Sequence, residues 1–225
     1  MRQRYDATAS ERGRTGARQR RDTGVPKQVD YEERRRRIAD SVCSLIARSG
    51  MEAVSLRDVA ADAGVSMGAV QRCFRTKDEM LLFALEHISA RVGARAHTRL
   101  AQSPEPRSAA TLLARTLSAI ALADPEDRTD AQVWLAFVAH AAVSEPLAAV
   151  LCQTYTDLHD LLVWLIGYGK DTGEFRADAD PELAARTLLA LADGLTAHVL
   201  VGHRTPESAH DLLSRYAEGL AAPPR

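Results

Sequence analysis

Cysteine is scarce in this 225-residue chain: Cys43, Cys73 and Cys152 stand far apart, with no Cys-x-x-Cys pair. That count and spacing give neither a disulfide framework nor a zinc site, and they suit a reducing compartment. Aromatic residues are only 5% of the chain, which leaves alanine and leucine to dominate the apolar set and favours helix over strand. No run of 18 or more apolar residues occurs, so no membrane span is expected. The first 30 residues have no apolar h-region, so no secretory signal is expected and the expected location is the cytoplasm. Also missing are a Gly-x-Ser-x-Gly elbow, an HExxH pair and dinucleotide-binding glycines, and the seven histidines are scattered. Gly167-Tyr-Gly-Lys170 looks like part of a phosphate loop, but the upstream glycine is absent and Asp171 holds the Ser/Thr place. It reads better as a helix end. The expectation is therefore no enzyme, no metal and no cofactor.

What is present is a folded helical protein with an uneven charge distribution. Hydrophobic residues make up 46% and charged residues 26%, the balance of an ordinary globular chain. The net charge of −1 hides a gradient: residues 1–40 carry twelve basic and seven acidic groups, 41–80 five of each, and 81–225 twelve against eighteen. A basic front on an acidic body fits a protein that touches a polyanion at one end, and it equally fits a solvated tail. Residues 1–30 carry almost nothing apolar and read as a disordered basic tail. From Tyr31 the spacing predicts nine helices and no sheet: about 31–49, 56–63, a recognition helix after Ser66, 77–100, 108–123, 130–144, 147–171, 180–202 and 206–221. Pro, Gly and Asp punctuation separates them.

The informative stretch runs from Leu56 to Arg75. With Leu56 as first position, Ala60 is fifth, Gly64 ninth and Val70 fifteenth. A helix-turn-helix needs a small residue where the second helix crosses the first. It also needs a sharp turn, often at positive φ, and an apolar plug under the second helix. Val59, Ala63, Val65 and Cys73 fill the remaining inward places. Ser66 reads as the N-cap of the recognition helix, whose exposed face would be Met67, Gly68, Ala69, Gln71 and Arg72. Cys73, facing inward, reads as a buried thiol rather than a redox switch. Two capping signals, Ser55-x-x-Asp58 and Thr76-x-x-Glu79, start the flanking helices.

Residues Val54 to Leu82 resemble the DNA-binding signature of the TetR family of regulators, and the likeness spans roughly Tyr31–Leu85. More loosely, Trp134-Leu-Ala-Phe137, Gly173-Glu174 and Ala192-Asp-Gly-Leu195 resemble the family's BetI-like ligand-binding bodies. The resemblance implies a DNA-binding domain over 31–77 and a ligand-binding, dimerising domain over 78–225. It implies phosphate contacts from Arg57, Thr76 and Lys77, and a major-groove face of Met67, Gly68, Ala69, Gln71 and Arg72 behind the Ser66 cap. Gln71 can pair bidentately with adenine and Arg72 with guanine or phosphate. The family usually carries an aromatic, most often tyrosine, where Gln71 stands, and often another at Cys73. Losing that tyrosine removes a contact on which the usual half-site preference rests. Arg34–Arg37 circle a whole helical turn. They form either a solvated helix start or a surface from which one or two meet phosphates while the tail reaches along the minor groove.

A single helix-turn-helix reads few base pairs, so such proteins pair and read palindromes. Leu188, Leu191, Leu195 and Val199, then Leu212, Leu213, Tyr216 and Leu220, lie at helical spacing, with Ala192 and Gly194 allowing close approach. They pack either within one subunit or, as the resemblance favours, in a four-helix homodimer interface. Large apolar groups with polar tips gather at Trp134, Phe137, His140, Tyr155, His159, Trp164, Tyr168 and His198. Several are expected to line a small-molecule pocket, ordinary core packing being the alternative for any one. Asp157, Asp160 or Asp193 either meets a cationic ligand or lies at the surface or an interface, the two readings being equal for each. The whole reads as a ligand-responsive transcriptional regulator, a repressor by family habit. The competing reading is a helical ligand-binding or adaptor protein that no longer reads DNA.

Overall fold

The computed structural model describes residues 27–101, 107–121 and 127–223, apart from the side chains of 27–29 and 99–100. The Arg-rich tail and its arginines Arg12, Arg14, Arg18, Arg20 and Arg21 lie outside the described residues. Helices follow in the order α1 (Lys27–Ser49), α2 (Leu56–Asp62), α3 (Met67–Cys73), α4 (Lys77–Ala101), α5 (Ala109–Ala121), α6 (Arg128–Ala141), α7 (Glu145–Thr172), α8 (Pro181–Leu200) and α9 (Pro206–Glu218). A 3-10 turn, Met51–Ala53, joins α1 to α2 and was not expected. Among the described residues the only β pairing is an isolated bridge, Phe175 to Ala221.

Local chemistry sets the boundaries. Asp180 accepts from the amides of Glu182 and Leu183, with Pro181 in the first turn of α8, and Thr205 accepts from Ser208 ahead of Pro206 in α9. Gly173 closes α7 at φ 76°, a left-handed position that costs glycine nothing. Gly169 answers to packing: a Cβ there would lie 2.1 Å from the Phe175 ring. The Gly167–Lys170 segment thus belongs to the last turns of α7, and Lys170 Nζ donates to the Ala179 carbonyl at 2.7 Å.

Packing does not respect the boundary expected after residue 77. Ile38, Val42 and Ile46 of α1, Val59, Val70 and Phe74 of the α2–α3 unit, and Met80, Leu81 and Leu85 of α4 form one core. That core continues into Val133 and Phe137 of α6 and Leu147 and Leu151 of α7. A second core joins Leu113 and Leu117 of α5, Leu162 and Ile166 of α7 and Leu188 of α8. A third joins Ala121, Ala192, Leu195, Ala209 and Leu213.

Helix α8 is apolar on two sides. Its 18-residue window reaches a mean hydropathy of 1.3, enough by length and composition to cross a membrane, yet it packs here against α5, α6, α7 and α9. The leucine-rich side (Leu188, Ala192, Leu195) faces inward, while Leu183, Thr187, Ala190, Gly194, Ala197 and Val201 follow the opposite side at spacings of three and four. Leu183 and Val201 on that side are 61% and 74% exposed.

Candidate nucleic-acid interface and ligand cavity

The helix-turn-helix forms as its spacing requires. Ala60 is buried at the crossing, Gly64 turns at φ 62°, and Val70 is fully buried beneath α3. Ser66 Oγ accepts from the Ala69 amide at 3.2 Å, and Ser55 Oγ accepts from the Asp58 amide. Thr76 Oγ1 accepts from Glu79 N at 3.0 Å, while Glu79 Oε2 accepts from Arg75 N at 2.8 Å. This reciprocal cap fixes the start of α4 beside half-buried Lys77. Arg57, Met67, Gln71 and Arg72 are exposed, and the Arg72 guanidinium reaches back over Gly68, where a Cβ would meet it at 3.7 Å. Ala69 departs from expectation. It is buried with Val70 and Cys73, because i, i+1 and i+4 share the inward side of so short a helix. Of the five residues expected on the outward face, Met67, Gly68, Gln71 and Arg72 are exposed or half-exposed.

The arginine run divides by role. Arg34 pairs with Asp30 at 3.0 Å, whereas Arg35 lies over three rings: Phe83 at 4.1 Å, Phe74 at 5.0 Å and Tyr31 at 5.9 Å. Arg36 and Arg37 are exposed. Sequence reading missed the aromatic seat of Arg35, although Tyr31 one turn away was the available signal. Cys73 is buried, and desolvation pushes its thiol up against the opposing pull of Arg34, Arg35 and Arg72. Cys43 is pushed up to about 12 by burial. Neither is a thiolate near neutral pH.

The body encloses a cavity of about 370 Å³ between α4, α5, α6, α7 and α8. Ile88, Val92, Ala96, Ala119, Ile120, Leu158 and Leu161 make its walls apolar. Of the eight residues expected to line it, Trp134 and Tyr155 do, meeting edge to face at 5.8 Å. The other six do not. Phe137 is fully buried in the first core, and His140 is absent from the cavity wall. His159 instead pairs with Asp160 and Glu182 at 3.3 Å each. Trp164 is 58% exposed and stacks on Tyr168, whose hydroxyl donates to the Arg107 carbonyl, and His198 stands edge-on to His203. Aromatic content predicts a cluster, but helix phase decides which rings turn inward.

Of the three aspartates considered, Asp193 reaches the cavity, while Asp157 and Asp160 are exposed. Tyr155 Oη donates to Asp193 Oδ2 at 2.5 Å, and the Trp134 side chain hydrogen-bonds the same carboxylate. Burial raises the Asp193 pKa above its ordinary value despite those donors, and burial with the Asp193 contact raises that of Tyr155. Asp130, also in the wall, faces Arg91 and Arg95. Sequence reading missed this group, because Asp130 lies 39 and 35 residues from Arg91 and Arg95.

The residues of the expected pairing surface divide by burial. Leu188, Leu195 and Leu213 are buried within the chain, and Leu191, Val199, Leu212 and Tyr216 pack on its internal cores. Only Gly194 of the eight lies on the outer side of α8. The richest apolar stripe covers the largest core, leaving the lighter stripe outside.

A capped helix-turn-helix fused to a helical body with an internal cavity defines a DNA-binding regulator with room for a small molecule. Residues 38–84 match the model for bacterial regulatory proteins of the tetR family, and 106–222 the model for the BetI-type transcriptional repressor C-terminal domain. The chain belongs to the TetR family of transcriptional regulators. It is 29% identical over 177 residues to the HTH-type transcriptional regulator PksA of Bacillus subtilis, covering 79% of this chain and 83% of that one. It is 27% identical over 186 residues to BetI of Brucella canis, covering 82% and 89%. A Rhodococcus transcriptional regulator superimposes with TM-score 0.70 at 30% identity, covering 83% of this chain and 95% of that one. A transcriptional regulator from Saccharomonospora viridis, solved with choline, superimposes with TM-score 0.77 at 27% identity, covering 86% and 100%. These relatives are regulators rather than enzymes.

Proposed function

We propose that this regulator represses by binding a palindromic operator as a homodimer in the cytoplasm, and that a cationic small molecule with an apolar body releases it. Residues 31–77 are the reading head and 78–225 the effector body, with α4 shared between their cores. The observation that carries the effector class is Asp193: a half-buried carboxylate facing an apolar cavity beside Trp134 and Tyr155, with no arginine or lysine among its partners in the described residues. A buried carboxylate without a counter-charge favours a ligand that brings one, and aromatic faces favour a quaternary or alkylated ammonium. The choline found in the Saccharomonospora viridis regulator supports the class. A cavity of about 370 Å³ suits a ligand at the small end of the usual range.

At the head, Gln71 and Arg72 read base edges, Arg57, Thr76 and Lys77 hold phosphates, and Met67 and Gly68 lie against the groove floor. Two heads pair through the outer stripe of α8, where Gly194 permits close approach, with recognition helices about one helical turn (~34 Å) apart. An occupant wedges α6 and α7 from α4, and α4 carries the shift to the head. Strong release needs the ligand to prefer the free state by several kcal/mol.

Selection of duplexes from a random pool, followed by anisotropy titration at two salt concentrations, tests the reading. The expected result is a palindrome bound tightly in the presence of competitor DNA, weakened in Gln71→Ala and Lys77→Ala, and released by a quaternary ammonium ion. Failure to enrich any sequence would favour a ligand-binding protein that has abandoned DNA.

A further inference from the structure

The charged group beneath the cavity ties three helices that the proposed mechanism requires to move together. Arg91 projects from α4 between two carboxylates on different helices. One guanidinium nitrogen donates to Asp40 Oδ1 of α1 at 3.1 Å, and the other to Asp130 Oδ1 of α6 at 2.6 Å. Asp130 is buried and lines the cavity one helical turn before Trp134. Asp40 is 54% exposed at its side chain and sits on the helix that carries the head's core residues Ile38, Val42 and Ile46. Two further contacts hold the ends: His87 Nε2 lies 2.8 Å from Asp40 Oδ1, and Arg95 pairs with both Asp130 and Asp127.

We infer that Arg91 is the positioning residue that couples the effector cavity to the reading head, its guanidinium bridging Asp130 in the cavity wall and Asp40 on α1. The chemistry selects arginine. A planar fork with separate donors satisfies two carboxylates at once in a fixed geometry, which an ammonium on a flexible stem does not reproduce. Half-buried ion pairs are also poor continuous springs. Their energy depends steeply on geometry, so the bridge is either made or broken when α6 shifts against α4. An occupant that displaces Asp130 therefore withdraws one anchor of Arg91, and the other anchor is α1 itself. By linkage, operator binding at the head must be felt in the cavity to the same extent.

That reciprocity gives a test that needs no effector, although the bridge matters to release only if the proposed function holds. Trp134 and Trp164 are the two tryptophans of the chain, so in Trp164→Phe protein the cavity indole is the sole reporter. Adding a duplex selected from a random pool is expected to shift Trp134 emission. Asp40→Asn, which alters only the head end of the bridge, is expected to remove most of that shift. Arg91→Lys keeps the charge but not the fork. It should retain the wild-type melting temperature to within a few degrees, yet lose the shift as fully as Asp40→Asn, and the double variant should lose no more. Hydrogen exchange in the free protein adds an arm independent of DNA: Asp40→Asn is expected to speed exchange in α6 around Asp130 and Trp134 by about five- to tenfold. Unchanged α6 exchange and an unchanged emission shift in Asp40→Asn would overturn the bridge, as would full rescue by lysine. A pool that enriches no duplex would instead defeat the operator reading, leaving the exchange arm to decide the bridge.

Discussion

The reading head and the effector body are built from the same kind of helix but filled differently. In the head, Val59, Val70, Phe74 and Met80 are completely buried and α2 and α3 are seven residues each, so a short turn at Gly64 fixes their angle. In the body, five helices stand around a cavity of about 370 Å³ with two carboxylates in its wall. Close packing makes the head stiff, as a surface that must match a groove needs to be. Side chains that line a cavity have fewer protein neighbours on that side and are cheaper to displace, as a switch needs. The two are nonetheless fastened together, since the head's core runs on into Phe137, Leu147 and Leu151.

The largest effect should come from attacking that shared core. Val70→Asp places a carboxylate at a fully buried apolar site, expected to cost about 4–5 kcal/mol. Because α6 and α7 share the core, the whole chain should lose structure in one transition, followed by far-ultraviolet dichroism and tryptophan emission together. A head that melts while the body keeps its native emission would show that the two regions are separable.

Next comes a change confined to the body. Asp193→Asn should weaken binding of a quaternary ammonium by more than about tenfold, roughly 1.4 kcal/mol, while operator affinity without ligand stays within about twofold. The pH dependence follows from the direction of its shift. Burial holds the Asp193 pKa above the ordinary 3.8, so the protonated, uncharged form persists to higher pH than in solution. Cation binding to the wild type should therefore weaken as pH falls through that raised value, and calorimetry on Asp193→Asn should show no such dependence. Equal binding of a neutral isostere by both proteins would remove the cationic reading while leaving the head untouched.

A subtler change returns to the head. Gly64 has open space where a Cβ would project, so Gly64→Ala tests conformation without crowding. At φ 62° an alanine should cost about 1–2 kcal/mol, read as a lower melting temperature with the operator sequence preference unchanged. A loss near zero would mean that the turn relaxes, and that the head is less rigid than its packing implies.

The same contrast explains what could be read from the sequence. The head's essentials (Ala60, Gly64, Val70, the Ser66 and Thr76 caps) fall within about twenty consecutive residues, where helix geometry converts spacing directly into position. Ala69 was misplaced because seven residues make too few turns for pattern alone to phase the helix. In the body, helix existence was legible from punctuation, but inward-facing residues depend on how five helices are rotated about their axes. Trp164 and Trp134 are alike in sequence terms; one stacks on Tyr168 at the surface and the other meets Asp193. On α8 the heavier apolar stripe reads from spacing alone as a surface for pairing or for packing within the chain, and Leu188, Ala192 and Leu195 are buried in the chain's own cores. Asp40, Arg91 and Asp130 span 90 positions, beyond any local pattern.

The smallest expected effect lies at Glu174, where the body fastens one of the cavity's helices. Its carboxylate accepts from the amides of Ala109 and Ala110 at 2.9 and 3.1 Å and from Ser108 Oγ at 2.7 Å, capping α5 from 64 or more residues away. Burial alone would raise its pKa, but these donors outweigh burial and hold it below the ordinary 4.5. A carboxylate with a depressed folded pKa contributes stability that is present above its unfolded value and lost as pH falls through the folded one. Glu174→Gln keeps an acceptor oxygen and removes the charge at the positive end of α5. It should cost up to about 1 kcal/mol at pH 7, discounted for the group's partial exposure, and the difference from wild type should close as pH falls through that lowered value. A series of urea titrations from pH 7 down through that value would show it. A difference that persisted at the lower pH would mean that shape rather than charge makes this cap. The cavity wall would then owe its placement to packing, as the head does.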